Sequence, residues 1–212
     1  MPAPRSTLQR RATNDVQLTD LRVESCSRSD VKDFVEKWHY SQSINGVNST
    51  LCFRVVLRGA VVGAAIFGAP GMPQVAAKYS NSGKYHLLEL RRFVMIDDLP
   101  PNNESYVLAR MLKMCKDAGI DRILSYADPS FGHQGIIYQA TGFKNLGTTG
   151  ARNDVVWNGK KYPRRNLGQV HRPFHKELNE ALRRGEAQRV RTPGKIIYVK
   201  DLVKPWELAR RA

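Results

Sequence analysis

Apolar positions along the chain change period several times, and each change predicts an element. From Ser29, a residue type that caps helices, Val31, Phe34, Val35 and Trp38 recur at three- and four-residue spacing. This predicts a helix that ends at His39-Tyr40-Ser41. The runs Leu51 to Leu57 and Val61 to Phe67 are rich in β-branched and apolar residues, with Arg58-Gly59 between them, and predict an antiparallel hairpin. Gly68 to Gly83 contains two Pro and three Gly and predicts a long loop of the kind that serves as a lid. Tyr85 to Ile96 is apolar on both faces and predicts a buried strand, although it carries Glu89, Arg91 and Arg92, whose charges need partners or a ligand.

Pro100-Pro101-Asn102-Asn103 then breaks the chain. Glu104 or Ser105 is expected to cap a helix that runs to about Asp117 and stops at Gly119. A strand from Arg122 to Ala127 leads into Asp128-Pro129-Ser130, followed by a short helix holding Ile136, Ile137 and Tyr138 and ended by Gly142. Beyond residue 150, Val155-Val156-Trp157 and Lys160-Lys161-Tyr162 flank Asn158-Gly159, a strong hairpin signal. Phe174, Leu178, Ala181 and Leu182 mark an amphipathic helix, and Lys195 to Val199 a last strand. Strand–helix alternation after a hairpin predicts an α/β fold with a mixed central sheet and helices on both faces.

Composition adds a partner to this picture. The 212 residues are 42% hydrophobic and 25% charged, an ordinary globular balance, but Lys and Arg exceed Asp and Glu by 15 and the pI is near 10. The excess is unevenly spread: +2 over residues 1–17, +3 over 18–150 and +10 over 151–212. These limits predict a mobile basic arm (1–17), a core (18–150) and a basic extension (151–212) packed on it. Clustered cations favour a polyanion, because neutralising phosphates releases condensed counterions. Lys160, Lys161, Arg164, Arg165, Arg172, Arg183 and Arg184 are the candidate phosphate contacts, with Tyr162 or Trp157 available to stack. No apolar run approaches the roughly 20 residues that span a bilayer, and no signal peptide is visible, so a cytoplasmic protein is expected. Cys26, Cys52 and Cys115 form no CxxC pair and are expected as free thiols.

Candidate chemistry sits at element ends. Asp128 closes a strand, where a carboxylate serves as general base, metal ligand or simply the cap of the next turn. Tyr138 offers a hydroxyl for proton donation, or else a buried ring with one hydrogen bond. His39 and Tyr40 end a helix; His39 suits proton transfer or metal binding, and with Asp128 it supplies ligand types of a non-haem iron site. Arg91 and Arg92 point to opposite strand faces; Arg91 is placed to pair with Glu89, leaving Arg92 for a ligand. Ser105 offers either a cap or a hydroxyl at a helix N-terminus for a donor group. His133 lies on an exposed-looking turn.

The stretch Ile137-Tyr138-Gln139-Ala140-Thr141-Gly142-Phe143, after a strand, resembles the tyrosine and Gly-Phe signature of GNAT-fold acyltransferases. Other motifs accompany it: Trp38-His39-Tyr40-Ser41, Glu89-Leu90-Arg91-Arg92-Phe93, Asp128-Pro129 with Gly132-His133-Gln134-Gly135, and Trp157-Asn158-Gly159-Lys160. Together, from about residue 20 to 200, they resemble the Mom family of phage DNA-modification proteins. The resemblance implies a GNAT-like core and a transferase that converts adenine in duplex DNA to N6-(carbamoylmethyl)adenine, protecting phage DNA from restriction in the host cytoplasm. It implies catalytic roles for Asp128, Tyr138, His39 and Tyr40, a donor held by Arg92 and Ser105, and double-stranded DNA on the basic extension. Because N6 is engaged in base pairing, base extrusion is the expected route to it. Oligomeric state stays open between monomer and homodimer.

The donor is less plain. GNAT proteins commonly cradle the acyl-CoA pyrophosphate on a Gly-rich loop, yet the corresponding stretch here, Ile96 to Glu104, has no Gly, two Pro and three carboxylates. A carbamoylmethyl group is also attached through a methylene and carries an extra nitrogen, so a single acetyl transfer cannot make it. The candidates are acetyl-CoA, by fold analogy, and a glycine-derived donor, small or carrier-bound, with iron as a further candidate. Two rivals predict otherwise: an ordinary GNAT N-acetyltransferase acting on a small amine or protein, and a non-enzymatic basic DNA-binding protein.

Overall fold

A computed structural model of the chain describes residues 16–80, 86–168, 174–204 and 206–207. Its strands are β1 (Arg22–Cys26), β2 (Leu51–Leu57), β3 (Ala60–Gly68), β4 (Leu87–Met95), β5 (Arg122–Ala127), β6 (Lys144–Thr148), β7 (Arg152–Trp157), β8 (Lys160–Tyr162), β9 (Gln188–Thr192) and β10 (Ile196–Asp201). Its helices are α1 (Arg28–Trp38), α2 (Pro73–Tyr79), α3 (Asn103–Asp117), α4 (Ile136–Ala140) and α5 (His175–Arg183). Seven strands form one sheet in the order β1-β2-β3-β4-β5-β10-β6, and three form another, β8-β7-β9. β1 to β4 pair antiparallel with their neighbours, while β4 and β5 are parallel, so the larger sheet is mixed as expected. The β4–β5 pairing covers Leu87↔Arg122 to Glu89↔Leu124, and each strand runs on beyond it.

The chain divides into two compact units. Of the described residues, the first takes those up to Ser125, Ile136–Asn145 and those from Tyr198 onward; the second takes Tyr126–Gly135 and those within Leu146–Ile197. In the first, α1 lays Val31 and Val35 against Ile44, Val47, Cys52, Ala64 and Ile66, all buried. The helix begins two residues earlier than expected: Ser27, not Ser29, is the cap, because its hydroxyl accepts from the Asp30 N–H while the Asp30 carboxylate accepts from the Ser27 N–H. The β2–β3 hairpin turns on Arg58 and Gly59, both at positive φ, the backbone that suits a two-residue turn. Helix α3 buries Val107, Leu108, Met111, Leu112 and Cys115.

Two other expectations are corrected in this unit. The segment expected as an open loop from Gly68 to Gly83 contains α2, whose Ala76 and Tyr79 are buried; residues 81–83 lie outside the described part. The N-cap of α3 is Asn102 at φ 66°, rather than Glu104 or Ser105, and the Ser105 hydroxyl donates to the Asn102 carbonyl at 3.0 Å. The helix does end at Gly119: its N–H and that of Ile120 return to the carbonyls of Lys116 and Cys115, a Schellman closure that needs positive φ at glycine.

In the second unit β7 is the central strand, paired with β8 through the Asn158-Gly159 turn and with β9 on its other edge. Helix α5 packs on one face, where Val155, Tyr162, Leu178, Ala181 and Ala187 form the core with Trp157, Leu167 and Leu182 at its border. The three cysteines are free. Among the described residues no helix is long and apolar enough to cross a membrane. The expected N-terminal arm, apart from residues 16 and 17, lies outside the described residues.

Candidate functional site

The predicted site residues fall in both units. In the first unit, α4 is closed by the motif that carried the sequence resemblance. Gly142 adopts φ 76°, its N–H bonds to the Gln139 carbonyl, and the Phe143 N–H bonds back to the Tyr138 carbonyl at 2.9 Å. This turn brings the Phe143 ring to 5.3 Å from the Tyr138 ring, the apolar contact that accompanies such a helix end. The Tyr198 ring lies at 5.2 Å and its hydroxyl accepts from Gln139 Nε2 at 3.0 Å. Burial pushes the Tyr138 hydroxyl up to about 12, with negative potential from Tyr40, Glu104 and Tyr198 adding to the rise. The Ser125 hydroxyl, buried without a bond of ordinary geometry, lies near enough to offset part of it. At neutral pH Tyr138 is therefore an O–H donor.

His39 is buried at the C-terminus of α1, while Tyr40 beside it is half exposed, with ring centroids 4.2 Å apart. The Ser41 N–H donates to His39 Nδ1 at 3.1 Å, and the Ser41 hydroxyl lies 2.8 Å from the same nitrogen. An accepting Nδ1 assigns the proton of the neutral ring to Nε2. Arg92 donates from Nε to the Ser43 carbonyl at 3.1 Å and from Nη1 to its neighbour's carbonyl at 2.7 Å. Burial lowers its pKa, and Tyr40 opposes that shift. Tyr40 thus couples electrostatically to both Arg92 and Tyr138. Arg91 pairs with Glu89 at 3.3 Å, as its spacing predicts. Ser105 shows no link to this group beyond its helix-internal bond.

In the second unit Asp128 is 4% exposed and caps the turn Pro129–Phe131, accepting from the Ser130 N–H at 3.1 Å and the Ser130 hydroxyl at 2.5 Å. Its other oxygen faces two cations, Lys195 Nζ at 3.4 Å and Arg152 Nη2 at 3.5 Å. Burial alone would raise this carboxyl, but Ser130, Lys195 and Arg152 together hold it below the ordinary value. Arg152 also donates through Nε to Asp154, two residues along the same strand face, at 3.0 Å. Asp154 Oδ1 and Thr192 Oγ1 are buried without hydrogen-bond partners. Lys195 is held in place by its backbone: its carbonyl accepts from the Thr149 N–H and its N–H donates to Thr149 Oγ1, both at 2.9 Å. Gly194 permits this approach, since a Cβ there would lie 1.7 Å from the Thr149 carbonyl oxygen.

The two side chains named as metal ligands each have polar contacts of their own. One Asp128 oxygen meets two cations and the other meets Ser130, while His39 Nδ1 is engaged by Ser41. Among the described residues no three His, Cys, Asp or Glu side chains gather in a metal-binding group.

Of the expected phosphate contacts, Lys160, Lys161, Arg164, Arg183 and Arg184 are exposed on the second unit, and Arg184 pairs with Glu186 at 3.1 Å. Arg172 and the Arg165 side chain lie outside the described residues. Sequence reasoning missed Arg152, Asp154 and Lys195 around Asp128, Glu104 near Tyr138, and Arg189 and Arg191 on β9. The alternation in Gln188-Arg189-Val190-Arg191-Thr192 was a usable signal for that strand.

A mixed sheet flanked by helices, with a tyrosine on the short helix after β5, defines a GNAT-like fold. The fold is shared with solved structures at low identity. A Bacillus subtilis acetyltransferase in complex with CoA aligns with a TM-score of 0.50 and 13% identity, over 86% of this chain and 99% of its own. An N-acetyltransferase from Staphylococcus aureus aligns with a TM-score of 0.50 and 15% identity, over 86% and 99%. Within that fold class the chain belongs to the Mom protein family, which matches residues 20–209. It is 29% identical over 136 residues to the methylcarbamoylase mom of Escherichia phage Mu, a match covering 61% of this chain and 54% of that protein. The chain thus spans about half the length of this curated relative.

Proposed function

We propose that the chain is a DNA-modifying transferase that places a carbamoylmethyl group on N6 of adenine and so protects phage DNA from restriction. The observation that carries this reading is membership of the Mom family over residues 20–209, supported by likeness to the phage Mu methylcarbamoylase. In this reading Asp128, kept ionised, accepts the proton that N6 loses as N6 bonds the donor's methylene carbon and the bond from that carbon to the donor's leaving group breaks. Tyr138, kept protonated, donates to the leaving group; His39 and Tyr40 line the pocket for an extruded base. Arg92 and Ser105 hold the donor, a glycine-derived group transferred through its methylene carbon; a CoA-type donor, by analogy with the neighbour bound to CoA, fits this step only if it carries the carbamoylmethyl unit, because acetyl-CoA would join N6 through its carbonyl carbon. Exposed Lys160, Lys161, Arg164, Arg183 and Arg184 contact the DNA backbone. These chemical roles suit the surroundings of the two groups, an apolar one for the hydroxyl and a cationic one for the carboxylate.

The test is nucleoside mass spectrometry on plasmid DNA from bacteria expressing the chain, beside Asp128→Ala and Tyr138→Phe. The expected result is an adenine nucleoside heavier by the carbamoylmethyl increment with the unaltered chain and missing with both variants. Unmodified DNA from well-expressed, folded protein overturns the reading and favours the acetyltransferase or binding-only alternatives.

A further inference from the structure

The face of the second unit's sheet that carries α5 holds a feature with no part in the chemistry above. An open groove of about 590 Å³ is lined by Arg164, Leu167, Gly168, Asn179 and Arg189, all in that unit. Register explains the place of Arg189: it stands opposite Val155 on β7, and Val155 belongs to the core beneath α5. Arg189 therefore shares the helix-bearing face, whereas Arg152 and Asp154 alternate to the other. Asn179 fixes the opposite wall, since its amide donates to the carbonyls of Leu167 at 3.2 Å and His175 at 2.7 Å and so ties the turn Arg164–Leu167 to α5.

Two arginines thus line one groove. Two other arginines of the unit are neutralised, Arg152 by Asp128 and Asp154 and Arg184 by Glu186, whereas Arg183 and Arg191, like the groove pair, have no carboxylate partner among the described residues but do not line the groove. Among the described residues Arg164 and Arg189 have no carboxylate partner within ion-pair distance. Like charges gathered at one groove repel, and an anion between them reverses the sign of that interaction. A guanidinium fork matches phosphate oxygens in particular, and the volume is within the range of sites that take a small ligand or one nucleotide-sized group. Leu167 adds an apolar wall for a sugar.

We propose that this groove binds a backbone phosphate of the DNA substrate through Arg164 and Arg189. The inference rests on the DNA-modifying reading and adds Arg189 and a defined phosphate subsite to it. The same chemistry would take the diphosphate of a soluble donor, so the experiment separates the two sources.

The full chain is titrated against a fluorescein-labelled duplex by anisotropy at several salt concentrations, beside R164Q/R189Q and R164K/R189K. Both side chains are exposed, and thermal melting checks that each variant folds. Losing one phosphate contact is expected to reduce the slope of log affinity against log salt by about 0.9, with roughly tenfold weaker binding at low salt, while the lysine variant keeps the slope. An unchanged slope and affinity in R164Q/R189Q overturns the proposal. So does stabilisation by inorganic pyrophosphate that is abolished in R164Q/R189Q while its DNA slope stays unaltered, an outcome that assigns the groove to a soluble diphosphate. If the unaltered chain leaves adenine unmodified in cells yet R164Q/R189Q shows the slope loss, the groove stands as a DNA site and the reaction assigned above falls.

Discussion

Tyr138 and Asp128 are near neighbours in sequence but belong to different compact units, and their surroundings drive their protons in opposite directions. Around Tyr138 are aromatic rings and groups that add negative potential, so its hydroxyl keeps its proton to about 12. Around Asp128 are a serine and two cations, so its carboxyl gives up its proton below the usual range. Burial opposes ionisation in both places; only at Asp128 do hydrogen bonds and opposite charges outweigh it. A proton donor and a proton acceptor at neutral pH thus arise from environment as much as from residue type.

The largest effect expected from disturbing this contrast comes from Gly194→Ala. The added Cβ meets the Thr149 carbonyl oxygen at 1.7 Å, and backbone rather than a flexible side chain must yield. Overpacking of this kind costs about 2–3 kcal/mol. Urea unfolding should show that loss. Because the displaced backbone carries Lys195, the product yield in the plasmid assay should fall with it. A variant of full stability and activity would remove the argument that Gly194 sets the cationic side of Asp128.

The apolar side of the contrast predicts an alkaline loss of stability. Tyr138 titrates near 10 in an unfolded chain and near 12 when folded. Between those values the folded state holds a proton that the unfolded state has released, so stability is intact below pH 10 and declines as pH rises toward 12. The decline is about 2 kcal/mol at most, because the ring is only partly enclosed. Urea unfolding at pH 8, 10 and 11.5, compared with Tyr138→Phe, isolates it, since the raised thiols of Cys26 and Cys115 contribute equally to both proteins. A difference that does not change with pH would mean that the hydroxyl is well solvated.

These two surroundings were unequally legible in the sequence. Turn chemistry is local, so Arg58-Gly59 and Asn158-Gly159 announced their hairpins and Gly142 the end of α4. The α1 stripe and the short amphipathic α5 were equally plain. Strand β6 was not, because all five of its residues are exposed and it has no alternation to read. Helix α2 was hidden by the Pro and Gly that surround it. Asp128 was visible at the end of its strand, but its partners come from β7 and the approach to β10, and their meeting depends on pairings over long sequence separations that no local pattern encodes. The same holds for Glu104, which reads as a helix-start residue and acts on Tyr138 through space.

A smaller effect is expected from Asp128→Asn. The amide oxygen can still accept from Ser130, so the cap is kept while the attraction to Lys195 and Arg152 is lost. Both cations are about one-third exposed, and solvent screening limits the loss at pH 7 to about 1 kcal/mol. The folded carboxyl titrates below its unfolded value, so its contribution is present above about pH 4 and disappears as pH falls through the lowered folded pKa. Urea unfolding should therefore show wild type and Asp128→Asn converging on acidification. A gap that persists or widens at pH 2 would place the effect in packing instead of charge.

The smallest effect tests whether pairing also grades the basic surface. Arg183 and Arg184 are adjacent and exposed, but Arg184 pairs with Glu186, whereas among the described residues Arg183 has no carboxylate partner. Removing an exposed pair changes stability little, so Arg184→Gln should shift unfolding free energy by less than about 0.5 kcal/mol. For DNA the two differ. Freed from its carboxylate an arginine offers a full charge to phosphate, while a paired one must first be released from Glu186. Arg183→Gln is therefore expected to lower the salt slope of duplex binding by up to about 0.9, and Arg184→Gln by less. Glu186→Gln should raise affinity by releasing Arg184. Equal slopes for the two arginine variants, with no gain from Glu186→Gln, would show that ion pairing within this unit does not decide which cations reach the DNA.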